Sequence, residues 1–121
     1  MAGSDVRTSP EALVQGQIDA YNQHDADTFA AAYADDLRLY DLGGELFLFG
    51  REALRERYAQ VFRDAPQIAV TILKRIVVGD IVIDEERITG TRSGHDAHAA
   101  VIYEIAGGLI RRAWITASRT A

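Results

Sequence analysis

Few side chains in this sequence can do chemistry, and none of them is a thiol, because the chain has no cysteine. Asp41 stands ahead of Leu42-Gly43-Gly44, where a strand gives way to a turn. A carboxylate there either closes the turn by accepting from its own backbone or serves a pocket, and the local sequence leaves both open. Gln17 lies among apolar neighbours on a helix face. Its amide must find partners, in Tyr33 and Tyr58 or in a ligand, and its NH₂ can donate to a developing oxyanion. Tyr21, Tyr103 and Trp114 are large amphipathic side chains on apolar faces, suited to a core or to the lining of a cavity. Val101 shares a strand face with Tyr103. Glu85 and Arg87 share one with Ile81 and Ile83, which in an inward sense would place a charged pair in a cavity. The other reading pairs Glu85 with Lys74 across strands on an outer face. His95-Asp96-Ala97-His98 reads as solvated surface, and no metal is expected there or at His24. The chain has no Ser-His-Asp order, phosphate-cradling glycine loop or dinucleotide fingerprint, so no cofactor is expected either.

The elements that must position these groups fall into two halves. Ser9-Pro10-Glu11 is a helix start, with Ser9 as cap, Pro10 in the first turn and Glu11 complementing the dipole. Leu13, Val14, Gln17, Ile18 and Tyr21 then share one face. Asn22-Gln23-His24-Asp25 ends that helix, and Asp25 caps a second in which Phe29, Ala32 and Tyr33 share a face, stopped by Asp35-Asp36. A third helix is expected from about Gly50 to Arg63, ended by Asp64-Ala65-Pro66. Between the last two, Leu37 to Asp41 and Glu45 to Phe49 read as short strands.

The second half reads as an antiparallel meander. Ile68 to Val78 and Ile81 to Thr91 flank the hairpin signal Gly79-Asp80. Folding there sets Val77 against Val82, Ile76 against Ile83, Arg75 against Asp84 and Lys74 against Glu85. Two opposite-charge pairs favour that register over a one-residue slip. Ala97 to Ala106 and Leu109 to Ala117 flank Gly107-Gly108, which sets Glu104 against Arg111. The fold class is therefore α+β: three N-terminal helices packed in the concavity of a strongly curved antiparallel sheet, a cone-shaped barrel with room inside for a small molecule.

Length and composition agree with one domain. The chain has 121 residues, 48% of them hydrophobic and 26% charged, enough for a core and too apolar for disorder. Its formal net charge of −5 gives no electrostatic case for nucleic acid. Residues 1–8 read as a flexible leader, 9–117 as the domain and 118–121 as a tail. No signal peptide or membrane span is expected, which makes the cytoplasm the default location.

The order of elements, together with Val14-Gln15 through Tyr21-Asn22, Asp25-Ala26-Asp27, Tyr33-Ala34-Asp35-Asp36, Leu39-Tyr40-Asp41, Gly50-Arg51-Glu52-Ala53-Leu54-Arg55 and Val101-Ile102-Tyr103-Glu104-Ile105, resembles the nuclear-transport-factor-2-like superfamily. That superfamily includes ketosteroid isomerases and SnoaL-type polyketide cyclases. The resemblance implies that Asp41 falls where the isomerases carry their carboxylate base. Gln17 stands at the position of their oxyanion-hole tyrosine, and Val101 at that of their protonated aspartic acid. Tyr33 and Tyr58 match supporting tyrosines. The pattern is half met, so classical ketosteroid isomerisation is not expected. The expectation is a small-molecule-binding domain with Asp41 as general acid/base on an apolar carbonyl or hydroxyl compound, without cofactor. Gln17, Tyr21, Tyr33, Tyr58, Glu85, Val101, Tyr103 and Trp114 would contact the substrate. The rival expectation is a non-catalytic ligand-sensing or accessory domain with a filled cavity. Either is expected to pair as a homodimer through the outer sheet face, as members of this superfamily do.

Overall fold

The computed structural model describes residues 8–119; the expected leader up to residue 7 and the last two residues lie outside them. Helix α1 (Pro10–Asn22) starts where Ser9 accepts from the Ala12 N–H, and α2 (Ala26–Ala31) starts where Asp25 accepts from that of Thr28. Strands β1 (Tyr33–Asp41) and β2 (Leu46–Phe49) follow, then α3 (Arg51–Asp64). The chain closes with β3 (Ala69–Val78), β4 (Ile81–Thr89), β5 (Ala97–Ala106) and β6 (Leu109–Arg119).

The six strands form one sheet in the order β2-β1-β6-β5-β4-β3. It is a mixed sheet, because β1 runs parallel to β6 while every other pair is antiparallel. That pairing also explains why the second helix is shorter than its periodicity suggests. The Ile110 N–H donates to the Ala32 carbonyl, and Tyr33 pairs with Ile110 as the first residue of β1. A ladder partner from the far end of the chain outcompetes helical propensity there.

The helices cover one sheet face, and the core lies between them, with Val14, Leu37, Leu54, Val82 and Ile110 essentially without solvent contact. The α1–α2 turn is pinned to the sheet edge. Asn22 Nδ2 donates to the Val70 carbonyl at 2.9 Å while the Val70 N–H donates to Asn22 Oδ1 at 2.7 Å. One amide side chain thus serves as a short strand partner for β3. His24, at a positive φ of 59°, places Nε2 2.7 Å from the Ile68 carbonyl and stacks on Phe62.

The β3–β4 hairpin has the expected register, from Lys74 against Glu85 to Val77 against Val82. The β5–β6 hairpin departs from expectation. A bulge after Glu104 sets it against Arg112 instead of Arg111, while Ile105 pairs with Ile110. Arg112 then makes a two-point ion pair with Glu104, and the bulged Arg111 reaches Asp36 on β1. Bulges of this kind turn the following side chains to the opposite face. Strand β6 also continues to Arg119, past the expected end of the domain at residue 117.

Candidate functional site

On the helix side of the sheet, β4 buries Val82, Asp84 and Glu86, and β5 buries Val101, Tyr103 and Ile105. Cross-strand pairing brings Asp84 against Val101 and Val82 against Tyr103. Helices α1 and α3 close over this face with Gln17, Tyr21 and Tyr58, and β1 adds Tyr33 and Leu39. Between them lies a cavity of about 80 Å³. Its remaining wall is apolar, with Phe29, Val70, Ile88 and Ile115, and the half-exposed Phe47 of β2 stands at its edge.

A directed chain of hydrogen bonds runs through the wall. The Tyr33 hydroxyl donates to Gln17 Oε1 at 2.9 Å. Gln17 Nε2 donates to the Val14 carbonyl at 3.0 Å and to the Tyr103 hydroxyl oxygen at 3.2 Å. The Tyr103 hydroxyl in turn donates to Glu86 Oε2 at 3.3 Å. Every donor in the chain points toward Glu86, so each bond polarises the next. The Gln17 amide is partnered within the protein by Tyr33, as expected, but by Tyr103 and the Val14 carbonyl in place of the expected Tyr58, which sits on α3 and makes no hydrogen bond to it.

Glu86 is 4% exposed, and burial is the main cause of its raised pKa, about 7. The neighbouring Asp84 charge pushes the same way, opposed by the Tyr103 hydrogen bond and by Arg75. Asp84 has no solvent exposure and is held by Arg75, whose Nε and Nη2 donate to its two oxygens at 2.6 and 2.8 Å. Arg75 Nη1 also donates to Gln15 Oε1 on α1 at 2.8 Å. Asp84 is thus a paired structural charge, whereas Glu86 makes no ion pair among the described residues. Burial raises the pKa of the four tyrosines that line the cavity, Tyr21, Tyr33, Tyr58 and Tyr103. They therefore act as neutral hydroxyls.

Six of the sequence candidates meet at this cavity: Gln17, Tyr21, Tyr33, Tyr58, Val101 and Tyr103. Three do not. Asp41 closes the turn after β1, its Oδ1 accepting from the Glu45 N–H at 2.9 Å and its carbonyl from the Gly44 N–H at 2.9 Å. Its carboxylate takes no part in the cavity wall. Glu85 projects from the opposite sheet face, with Oε2 2.7 Å from His98 Nε2, because Asp84 and Glu86 on either side of it occupy the inward positions. Trp114 also lies on the outer face, stacked on Tyr40 with Arg112 over its ring. The β5–β6 bulge puts Ala113, not Trp114, on the face of Tyr103.

Glu86 itself was not among the candidates drawn from sequence. The signal was present but indirect. Arg75 opposite Asp84 marks one face of β4, and Glu86 shares that face. Deciding which face looks inward needs the β4–β5 register, and those strands are joined by a loop rather than a tight turn. Among the described residues, no group of three or more His, Asp or Glu is placed to hold a metal ion.

Known proteins share this architecture. A cystatin-fold protein from Novosphingobium aromaticivorans superposes with a TM-score of 0.82 at 24% identity, covering 89% of this chain and 97% of its own. IdmH from Streptomyces antibioticus, described as a proposed polyketide cyclase, superposes at 0.75 with 18% identity over 90% of this chain and 91% of its own. A proposed ketosteroid isomerase from Kribbella flavida gives 0.75 at 19% identity, over 93% and 79%. At these identities the likeness speaks for the fold. No curated protein matches the chain. The family model for the SnoaL-like domain matches residues 14–113, nearly the whole folded chain, and with the helix-filled curved sheet and its enclosed polar chain this protein belongs to the SnoaL-like domain family.

Proposed function

We propose that this chain binds a small carbonyl or hydroxyl compound in the cavity beneath α1 and α3, and that the Glu86 carboxyl gives and takes a proton on it without a cofactor. The reaction class is that of a cofactor-independent isomerase, cyclase or dehydratase. One observation carries this reading. A carboxyl 4% exposed, beside an apolar cavity and without an ion pair among the described residues, has its pKa pushed to about 7, where a single group serves as both acid and base near neutrality. The Tyr103 hydroxyl fixes Glu86 Oε2, leaving Oε1 for the ligand. The Tyr21 and Tyr58 hydroxyls make no hydrogen bond to the protein among the described residues and can donate to a carbonyl oxygen as charge develops on it. The cyclase designation of IdmH supports the reaction class.

Proton transfer at carbon is measurable without knowing the physiological substrate. In deuterium oxide the protein is expected to accelerate deuterium incorporation into acetone. Glu86→Gln should lose this by about a hundredfold or more, and Asp41→Asn should retain it. Wild-type protein giving only the buffer rate contradicts the proposal. The volume of about 80 Å³ favours a second reading, a non-catalytic accessory domain whose interior is largely filled by side chains. That reading expects neither exchange nor ligand-induced shifts of cavity resonances.

A further inference from the structure

The cavity contains one ionisable group that can become charged near neutral pH, and around it stand acceptors. Glu86 lines it with only Oε2 engaged by Tyr103, and Tyr21 and Tyr58, whose hydroxyls make no hydrogen bond among the described residues, line the same space. Tyr21 is itself 8% exposed, and its ring centroid lies 5.8 Å from that of Tyr58. Of the donors in the wall, Tyr33, Gln17 and Tyr103 are committed to the chain that ends on Glu86, and the Tyr21 and Tyr58 hydroxyls that remain are neutral groups that accept as readily as they donate. Among the described residues no Lys, Arg or His lines the cavity, and the nearby Arg75 is spent on Asp84. A ligand anion would meet a buried carboxylate with no compensating charge. A cation would neutralise that carboxylate and bring N–H donors to oxygens that lack them. Aromatic rings at Tyr21, Phe29 and Tyr58 add the favourable interaction of a cation with π systems.

Volume limits the ligand further. An apolar cavity of about 150 Å³ accommodates benzene, so one of about 80 Å³ suits a group of about four heavy atoms. We propose that, with Glu86 ionised, this cavity takes a small primary ammonium in preference to the neutral carbonyl or hydroxyl group it takes when Glu86 is protonated, with the nitrogen at Glu86 Oε1 and the Tyr21 and Tyr58 hydroxyls and the alkyl part against Phe29 and Leu39. The proposal rests on the reading that ligands meet Glu86 and does not require turnover.

Three probes with the same carbon skeleton separate the possibilities: isopropylammonium, propan-2-ol and acetone. Each is titrated into the full chain while the Tyr21, Tyr58 and Glu86 resonances are followed by NMR at pH 8.5 and pH 5.5. Asp84 and Arg75 from β4 and β3, Tyr103 from β5, Tyr33 from β1, Tyr21 from α1 and Tyr58 from α3 are the charged and titratable groups facing Glu86. Isopropylammonium should bind at pH 8.5 at least about tenfold more tightly than either neutral probe, the margin of one charge-assisted hydrogen bond. Its affinity should fall about tenfold at pH 5.5, where Glu86 is protonated, and by a similar factor in Glu86→Gln. The comparison of pH values on the unmodified chain stands even if that variant fails to fold. Equal binding of isopropylammonium and propan-2-ol, or an affinity unchanged by pH, overturns the ammonium inference. Acetone binding without isopropylammonium binding overturns it while leaving the acid/base reading intact. Binding of none of the three overturns both.

Discussion

Glu86 and Asp84 lie two residues apart on the same face of one strand and meet opposite fates, because one has a guanidinium and the other a phenol. The consequence for stability has a definite sign. A carboxyl whose folded pKa lies at about 7, against an ordinary 4.5, binds its proton more tightly in the folded state. Its contribution is therefore most favourable below pH 4.5 and is lost as the pH rises to about 7, above which the penalty is constant. For a shift of that size the loss is about 3 kcal/mol. Urea unfolding of wild type and Glu86→Gln at a series of pH values isolates it from Asp25, Glu52 and Glu104, whose hydrogen bonds lower their pKa values and so act in the other direction. The variant should gain on the wild type by about 3 kcal/mol between pH 4.5 and 7, with a constant difference above. A difference independent of pH would show Glu86 to be an ordinary carboxyl.

At the scale of elements, the Arg75–Asp84 pair ties β3 to β4, and through Gln15 it ties both to α1. Arg75→Met leaves a fully buried carboxylate without its partner and should cost about 3–5 kcal/mol in urea unfolding, whereas Arg75→Met combined with Asp84→Leu should recover most of the loss. A single variant as stable as wild type would mean that Asp84 is solvated. This pair was legible in the sequence, because Gly79-Asp80 fixes the hairpin and two charge pairs fix its register. The caps at Ser9 and Asp25 were legible for a similar reason, since a cap is a local bond. What escaped was set by distant partners. Tyr33 became a strand residue because Ile110 pairs with it, and Trp114 turned outward because a bulge follows Glu104. The inward sense of Glu86 depends on the β4–β5 register across a loop. Gly90 shows the same non-local control: at a φ of 68° it passes so close to the Gln67 backbone that a Cβ there would meet the Gln67 carbonyl oxygen at 2.0 Å. Six cavity residues were nevertheless identifiable from their places on predicted faces and from family resemblance.

At the scale of the whole molecule, the outer sheet face carries a continuous apolar row, Tyr40, Trp114, Ile102, Ile83 and Ile76, each paired with the next across five strands. Ile76 is 50% exposed, and Val78 beside it 63%. An apolar band of this kind suits a two-fold partner that presents the same surface. The homodimer proposed for this chain is expected to give a dimer mass in light scattering at micromolar concentration, and Ile83→Asp should reduce it to a monomer. A monomeric wild type contradicts the proposal.

The central claim is that the working carboxyl of this domain is Glu86, inside the cavity, rather than Asp41 at the turn. The most direct test follows the side-chain ¹³Cδ resonance of Glu86 by NMR as a function of pH in the intact chain. The midpoint is expected at about 7, well above the ordinary 4.5. A midpoint near 4.5 would place Glu86 in contact with water and remove the basis for acid/base chemistry at this site.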